Sequence, residues 1–265
     1  KTPVHVPNMA MINAVSKLTW RAFERHYSLT TYEQLISKLD STIPVYPDWI
    51  KGIACALGSA GLAFLYSGDM IAFIVTIICS LIGYFTRTLS VRLGCNEYVG
   101  IALGGFAAMV SAYGFYSHIE QDSLVYVLVC CTLFMIPGVP LINAVIDTIN
   151  NHILSGITRA IRTILIVGSM TLGMAMALYF SPMPAFSFVD IKPHVLSIEQ
   201  IIGSFMAAAS FAVLFNAPVR LLLSIGIGGV LCVFIRNLLA VELGFSIAGA
   251  TFVGAAVMSI IYVKV

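Results

Sequence analysis

Eight apolar runs, at 49–67, 70–85, 98–117, 124–146, 161–180, 201–215, 220–235 and 245–263, dominate this chain of 265 residues and decide what it can become. A helix needs roughly 20 apolar residues to cross the hydrocarbon core of a bilayer, and these runs approach that length with few charges inside. Hydrophobic residues make up 59% of the chain and charged ones 10%, with a mean hydropathy of +0.97. A soluble core could not enclose so much apolar surface. The expectation is an all-α polytopic membrane protein of about eight transmembrane helices, held in a lipid bilayer.

The charges orient it. Fourteen Lys and Arg stand against twelve Asp and Glu, a net +2 that offers no basic face to a nucleic acid. With the N-terminus inside, Lys1, Lys17, Arg21, Arg25, Lys38, Lys51, Arg87, Arg92, Arg159, Arg162, Arg220 and Lys264 all fall on the cytoplasmic side. Only Lys192 and Arg236 fall outside, while Asp69, Glu120 and Asp122 lie in the outer loops. That is a strong positive-inside bias. The start of the chain carries no cleavable signal pattern, so the expectation is a multi-pass plasma-membrane protein with a cytoplasmic N-terminus.

Segment 1–48 has soluble character and reads as the end of a cytoplasmic domain. Thr30 and Glu33 have capping-box spacing for a helix reaching about Leu39, and Pro44 and Pro47 break the chain before the membrane. Trp20, Phe23 and Tyr27 share a helical face, suited to the lipid surface or, preferably, to the rest of a cytoplasmic domain.

The chain then repeats itself. A shift of 149 sets Ala60, Ala63, Leu65, Arg87 and Leu89 on Ala209, Ala212, Leu214, Arg236 and Leu238; one inserted residue later, Leu93, Gly94 and Gly104 meet Leu243, Gly244 and Gly254. RTLSVRLG from Arg87 against RNLLAVELG from Arg236 is the clearest stretch. The unit holds five spans, and an odd number turns the second copy upside down, the inverted-repeat plan of many secondary transporters. The expected division is 49–180 for the first unit, 181–198 for an extracytoplasmic loop and 199–265 for the first three spans of an incomplete second unit. The remaining spans would come from a continuation of the natural chain or from a second subunit.

IPGVPLINAVIDTINNH, from Ile136, places two prolines and a glycine inside a span. Pro137 and Pro140 cannot donate backbone hydrogen bonds and Gly138 accepts conformations other residues resist, so the helix should unwind around 136–139. Unpaired backbone at that depth is tolerated only against protein or a cavity. With Pro140 at the first position of the resumed helix, the amides of Val139, Leu141 and Ile142 would be free to hold a carboxylate. Asn143, Asp147 and Asn150 then form one polar stripe. A carboxylate within a span is functional by default: Asp147 could meet an ammonium group or carry a coupling proton. The alternative is a simple kink, with Asp147 at the cytoplasmic interface paired to Arg159.

Other features are plainer. Gly100 with Gly104, and Ala250 with Gly254, have the spacing of close helix packing. Arg87, Arg159 and Asn216 are candidates to line a cavity, although helix capping and interface anchoring suit Arg87, Arg236 and Asn216 equally. His118, His152 and His194 are isolated, and Cys55, Cys79, Cys95, Cys130, Cys131 and Cys232 lack metal-ligand spacing. No metal, cofactor or enzymatic site is expected, since no phosphate-binding loop, HExxH, GxSxG or nucleophile with its base is present.

The residues so far resemble the threonine/serine exporter family, whose first half carries a PGxPLINAxxD span, matched here from Pro137 to Asp147. SGITRA from Ser155, and AAASFAVLFNAPVR, RNLL and ATFVGA later, resemble other stretches of that family. The resemblance implies ten spans in two halves, a cytoplasmic N-terminal domain and proton-coupled export of small polar amino acids. A related branch, with halves on separate subunits, implies a succinate exporter. Most of the cytoplasmic domain and the second PG element are missing here. The expected site is therefore Pro137, Gly138, Val139, Pro140, Leu141, Asn143 and Asp147, with Asp147 as coupling residue, the cargo an amino acid or alternatively a dicarboxylate, and a homo-oligomer or second subunit completing it. A membrane subunit that anchors a partner without transporting is the alternative of another class.

Overall fold

A computed structural model describes residues 8–42, 45–67, 69–119, 121–181 and 197–263. No strand occurs among them, and the elements are α1 Met9–Arg25, α2 Leu29–Thr42, α3 Asp48–Ser67, α4 Met70–Arg92, α5 Glu97–Gly114, α6 Gln121–Cys130, α7 Gly138–Ile149, α8 Ile153–Phe180, α9 Ile198–Leu214, α10 Val219–Glu242 and α11 Ile247–Val263. Each apolar run is helical, the fourth in two pieces. Helices α3, α4, α8 and α10 are each long and apolar enough to cross a membrane, and α6 with α7 counts as a fifth span bent by 56°. The apolar helices α9 and α11 have 17 residues each, about 25 Å at 1.5 Å per residue, slightly short of a bilayer core.

Several spans exceed the runs that announce them. Helix α4 continues past 85 to Arg92, α8 begins at Ile153 rather than 161, and α10 runs past 235 to Glu242. For α4 and α8 the reason is electrostatic: Arg92 reaches Asp48 and Arg159 lies 3.2 Å from Asp147, so the added turns carry paired charges, and just inside the expected run Arg162 meets Glu97 at 3.1 Å. These pairs gather one end of α3, α4, α5 and α8.

Of the first two helices, the second is capped differently from expectation. Asn8 Oδ1 accepts from the Met11 amide at 3.1 Å to start α1, and His26 ends it in a left-handed conformation at φ 50°. Ser28, not Thr30, caps α2: its Oγ accepts from the Thr31 amide at 3.3 Å. Glu33 is thus two residues too late for a capping box. Trp20 and Phe23 are exposed, at 66% and 73%. Pro44, Glu120, most of the 181–198 loop with Asp190, Lys192 and His194, and the terminal Lys1 and Lys264 lie outside the described residues.

Small residues build the interior. Ala72, Val75 and Cys79 of α4 pack with Ala108, Met109 and Ala112 of α5 and with Leu124, Val127 and Leu128 of α6. Helix α3 has its most extensive interface with α9. The two run antiparallel: Gly58 meets Ser210, whereas Gly61 meets Gly203 and Ala207. A Cβ on Gly203 would stand 2.6 Å from the Gly61 carbonyl oxygen, so only glycine allows the backbones this close.

The interval of 149–150 residues recurs in the elements themselves. Helices α3, α4 and α5 start at Asp48, Met70 and Glu97, and α9, α10 and α11 at Ile198, Val219 and Ile247. After α4 the chain turns at Gly94, φ 93°, and after α10 at Gly244, φ 64°, both in the left-handed region that a side chain resists. Gly104 lies against the Gly83 carbonyl and Gly254 against that of Cys232, the same contact one interval later.

Candidate functional site

The fourth span opens earlier than its prolines. Helix α6 stops at Cys130, a 3-10 turn covers Leu133–Met135, and α7 starts at Gly138. The opened backbone is packed in protein: Cys131 and Thr132 are at most 1% exposed, and Phe134 and Met135 are also buried. Several of its polar groups find partners. The Cys131 amide donates to Val127 O at 2.9 Å, Thr132 Oγ1 donates to Val129 O at 2.9 Å, and Ser80 Oγ donates to Cys131 O at 3.5 Å. Backbone freed from a helix at membrane depth requires such partners.

The start of α7 differs from expectation in one respect that matters for chemistry. Pro137 is the capping residue, and Pro140 falls at the third helical position rather than the first. The Leu141 amide is consumed by Pro137 O at 3.1 Å, and that of Gly138 by Ile136 O at 2.9 Å. Ile142 enters the regular ladder. Of the three amides expected free, only Val139 N–H lacks a partner among the described residues. Pro137 is buried, Gly138, Val139, Pro140 and Asn143 are half-buried, and Leu141 is exposed.

Asp147 lies one turn below Asn143, its side chain 19% exposed, with Oδ2 at 3.2 Å from Arg159 Nη1 of α8. Oδ2 is buried yet has no aligned hydrogen bond, so the contact is an ion pair by distance alone. This is the pairing foreseen as the alternative for Asp147. With Arg159 46% exposed, it contributes at most about 1 kcal/mol to stability. Asn150 ends α7 rather than extending a stripe along it. Beside the pair, the α7–α8 turn encloses an open hollow of about 670 Å³ lined by Asn151, His152, Ser155 and Arg159 among others.

The candidate cavity residues do not converge. Arg87 is 3.8 Å from Glu97, which also binds Arg162, so it joins α4, α5 and α8. Asn216 ends α9 in a left-handed conformation, φ 55°, and is 3% exposed. Its Oδ1 accepts from the Tyr46 amide at 2.9 Å and its Nδ2 donates to Asn8 Oδ1 at 2.7 Å. The Met9 and Ala10 amides donate to Phe215 O and Asn216 O. Asn216 thus ties α1 and the approach to α3 onto the α9–α10 turn. Asn216→Ala should loosen this junction by about 1–3 kcal/mol, through lost hydrogen bonds and a disfavoured φ. Faster hydrogen exchange confined to the first turn of α1 and the segment around Tyr46 is the expected reading; unchanged exchange there would contradict it.

A buried amide pair escaped the sequence reading. Asn237 Nδ2 of α10 donates to Gln200 Oε1 of α9 at 2.8 Å, and Arg236 Nε donates to Asn237 Oδ1 at 3.1 Å. Only the match of RNLLAVELG from Arg236 to RTLSVRLG from Arg87 drew attention to this stretch.

An all-helical bundle with several membrane-length spans and one buried break is a multi-pass membrane protein. More narrowly, the chain belongs to the threonine/serine exporter family: one profile of that family matches residues 3–181 and a second matches residues 200–264. It is 25% identical over 173 residues to the "Probable succinate transporter subunit YjjP" of Escherichia coli, covering 64% of this chain and 66% of that protein. The protein of the same name from Klebsiella aerogenes is 23% identical over the same span lengths. The chain thus spans just under two thirds of these relatives' length. No solved structure matches it.

Proposed function

We propose that the chain is the membrane part of a secondary exporter of small polar amino acids, threonine or serine in type, with its cargo site at the opening between α6 and α7. The observation that carries this is the buried 56° break, whose backbone is packed in protein and in part paired there, with the Val139 amide left open. A kink alone needs no polar groups beneath it. Here the Val139 amide and Asn143 side chain receive the cargo's carboxylate, and Asp147 with Arg159 handles the ammonium or the coupling proton. Segments 49–180 and 199–265 act as inverted units that rock against each other to expose the site alternately; the repeated element starts and the antiparallel α3 and α9 support this. The paired Arg87, Arg92, Arg159 and Arg162 mark the cytoplasmic end, and the inner membrane of a bacterium is the setting. A second subunit or another copy completes the transporter.

A dicarboxylate is the second reading, favoured by the succinate named for the relatives. Counterflow of labelled threonine and of labelled succinate in proteoliposomes separates the two. Accumulation of threonine supports the first reading and of succinate the second. Flux of neither, in the full assembly, would leave an anchoring subunit as the better account.

A further inference from the structure

Two arginines hold matching places in the two halves. Arg87 of α4 and Arg236 of α10 each lie beside a glycine of the next helix: a Cβ on Gly104 would stand 3.0 Å from Arg87 Cβ, and one on Gly254 would stand 3.7 Å from the backbone nitrogen of Arg236. They sit at opposite ends of the bundle. Arg87 shares its end with Glu97 and, through Arg92, with the start of α3 at Asp48. Arg236 shares its end with Gln200, near the start of α9, and Gly203 there packs against Leu65, near the finish of α3.

Their charge environments then diverge. Arg87 faces Glu97, whereas the corresponding residue one interval later is the apolar Ile247. No carboxylate of the described residues forms an ion pair with Arg236. Amides hold it instead. Asn237, 4% exposed, accepts from Nε and passes its own donor to Gln200, 9% exposed. Both amides are thereby oriented, and the two terminal nitrogens of the guanidinium remain for a ligand. Arginine stays charged at any physiological pH, and its planar fork matches a carboxylate in bidentate fashion. A cation kept near a membrane face without a counter-charge among the described residues invites an anion.

We infer that Arg236 binds the carboxylate of the cargo at the membrane face opposite Arg87, with Asn237 and Gln200 as positioning residues. This deepens the transport reading and rests on it. The site takes a carboxylate present in amino acids and dicarboxylates alike, so it contributes to capture and release without deciding between them.

The test uses the full transporter in proteoliposomes of known orientation, with labelled threonine and labelled succinate as probes on either face. For whichever label wild type carries, Arg236→Gln should raise the half-maximal concentration on the Arg236 face about tenfold and leave the other face within about twofold. Arg236→Lys, which keeps the charge but loses the fork, should raise it about threefold, and it carries the test alone if the glutamine variant does not reach the membrane. An unchanged half-maximal concentration in a folded variant overturns the inference while leaving transport intact. Loss of a bound phospholipid in native mass spectra, with cargo affinity unchanged, overturns it in favour of a lipid-phosphate anchor. Should wild type carry neither label, the transport reading fails, and this inference with it.

Discussion

Gly203→Val is expected to prevent the bundle from assembling. A Cβ at this position would lie 2.6 Å from Gly61 O and 2.9 Å from Leu65 N, and one at Gly61 would lie 2.8 Å from Gly203 O and 2.9 Å from Ala207 N. These are backbone atoms, which no rotamer change can move aside. Helix α3 would have to leave α9, and α3 also packs on α4 and α6, with Ser59, Ala60 and Ala63 completely buried along it. Overpacking in a core costs about 1–3 kcal/mol and occasionally more; a branched side chain against rigid backbone belongs at the upper end. Gly203→Ala should therefore lower the melting temperature in detergent, and Gly203→Val should give no monodisperse protein. Gly168 provides the control. It lies within α8 with open space around it, and Gly168→Ala should leave stability equal or raised by up to about 1 kcal/mol through helix propensity. A Gly203→Val protein that melts with wild type would show that α3 and α9 do not cross at Gly61 and Gly203.

That crossing was only partly legible in the sequence. The shift of 149 aligned Ala60 and Ala63 with Ala209 and Ala212, which identifies the two helices as counterparts, but nothing local says that counterparts touch. The same limit applied elsewhere. Apolar runs and the PG signature located the helices and their break because hydrophobic transfer and proline chemistry act residue by residue. The extent of α4 was missed because the charge in its last turn is neutralised from afar, Arg92 by Asp48 across 44 residues. The break begins at Cys131 rather than Ile136 although VLVCCTLFM contains no helix breaker. Packing against α4 and a hydrogen bond from Ser80 sustain it there. Ser28 displaced Thr30 as a cap because helix ends drift by a residue or two in sequence reading. Arg159 was legible as the partner of Asp147 because the hairpin between them is short. The Gln200–Asn237 pair was not, since each residue alone reads as an ordinary helix-end amide.

Under the proposed coupling role, Asp147→Asn should separate the two movements of a proton-coupled exporter. The carboxylate touches Arg159 through Oδ2 at 3.2 Å without an aligned hydrogen bond, so a proton arriving on that oxygen breaks an ion pair and little else. Arg159 is then released toward the hollow at the α7–α8 turn, which it already lines. In the proposed mechanism, protonation at Asp147 becomes a change in how α7 is held to α8. Asparagine imitates the protonated state permanently. Uphill accumulation driven by a pH gradient should fall about 100-fold, whereas exchange of labelled for unlabelled cargo, which needs no net proton movement, should stay within about tenfold of wild type. Arg159→Gln should impair both, because it leaves the Asp147 carboxylate without its counter-charge in a half-buried position. A purely structural pair predicts another pattern, in which both variants lose a little stability, under about 1 kcal/mol, and driven transport survives. Gradient-driven accumulation at the wild-type rate in Asp147→Asn would therefore remove the coupling role and leave the kink to packing alone.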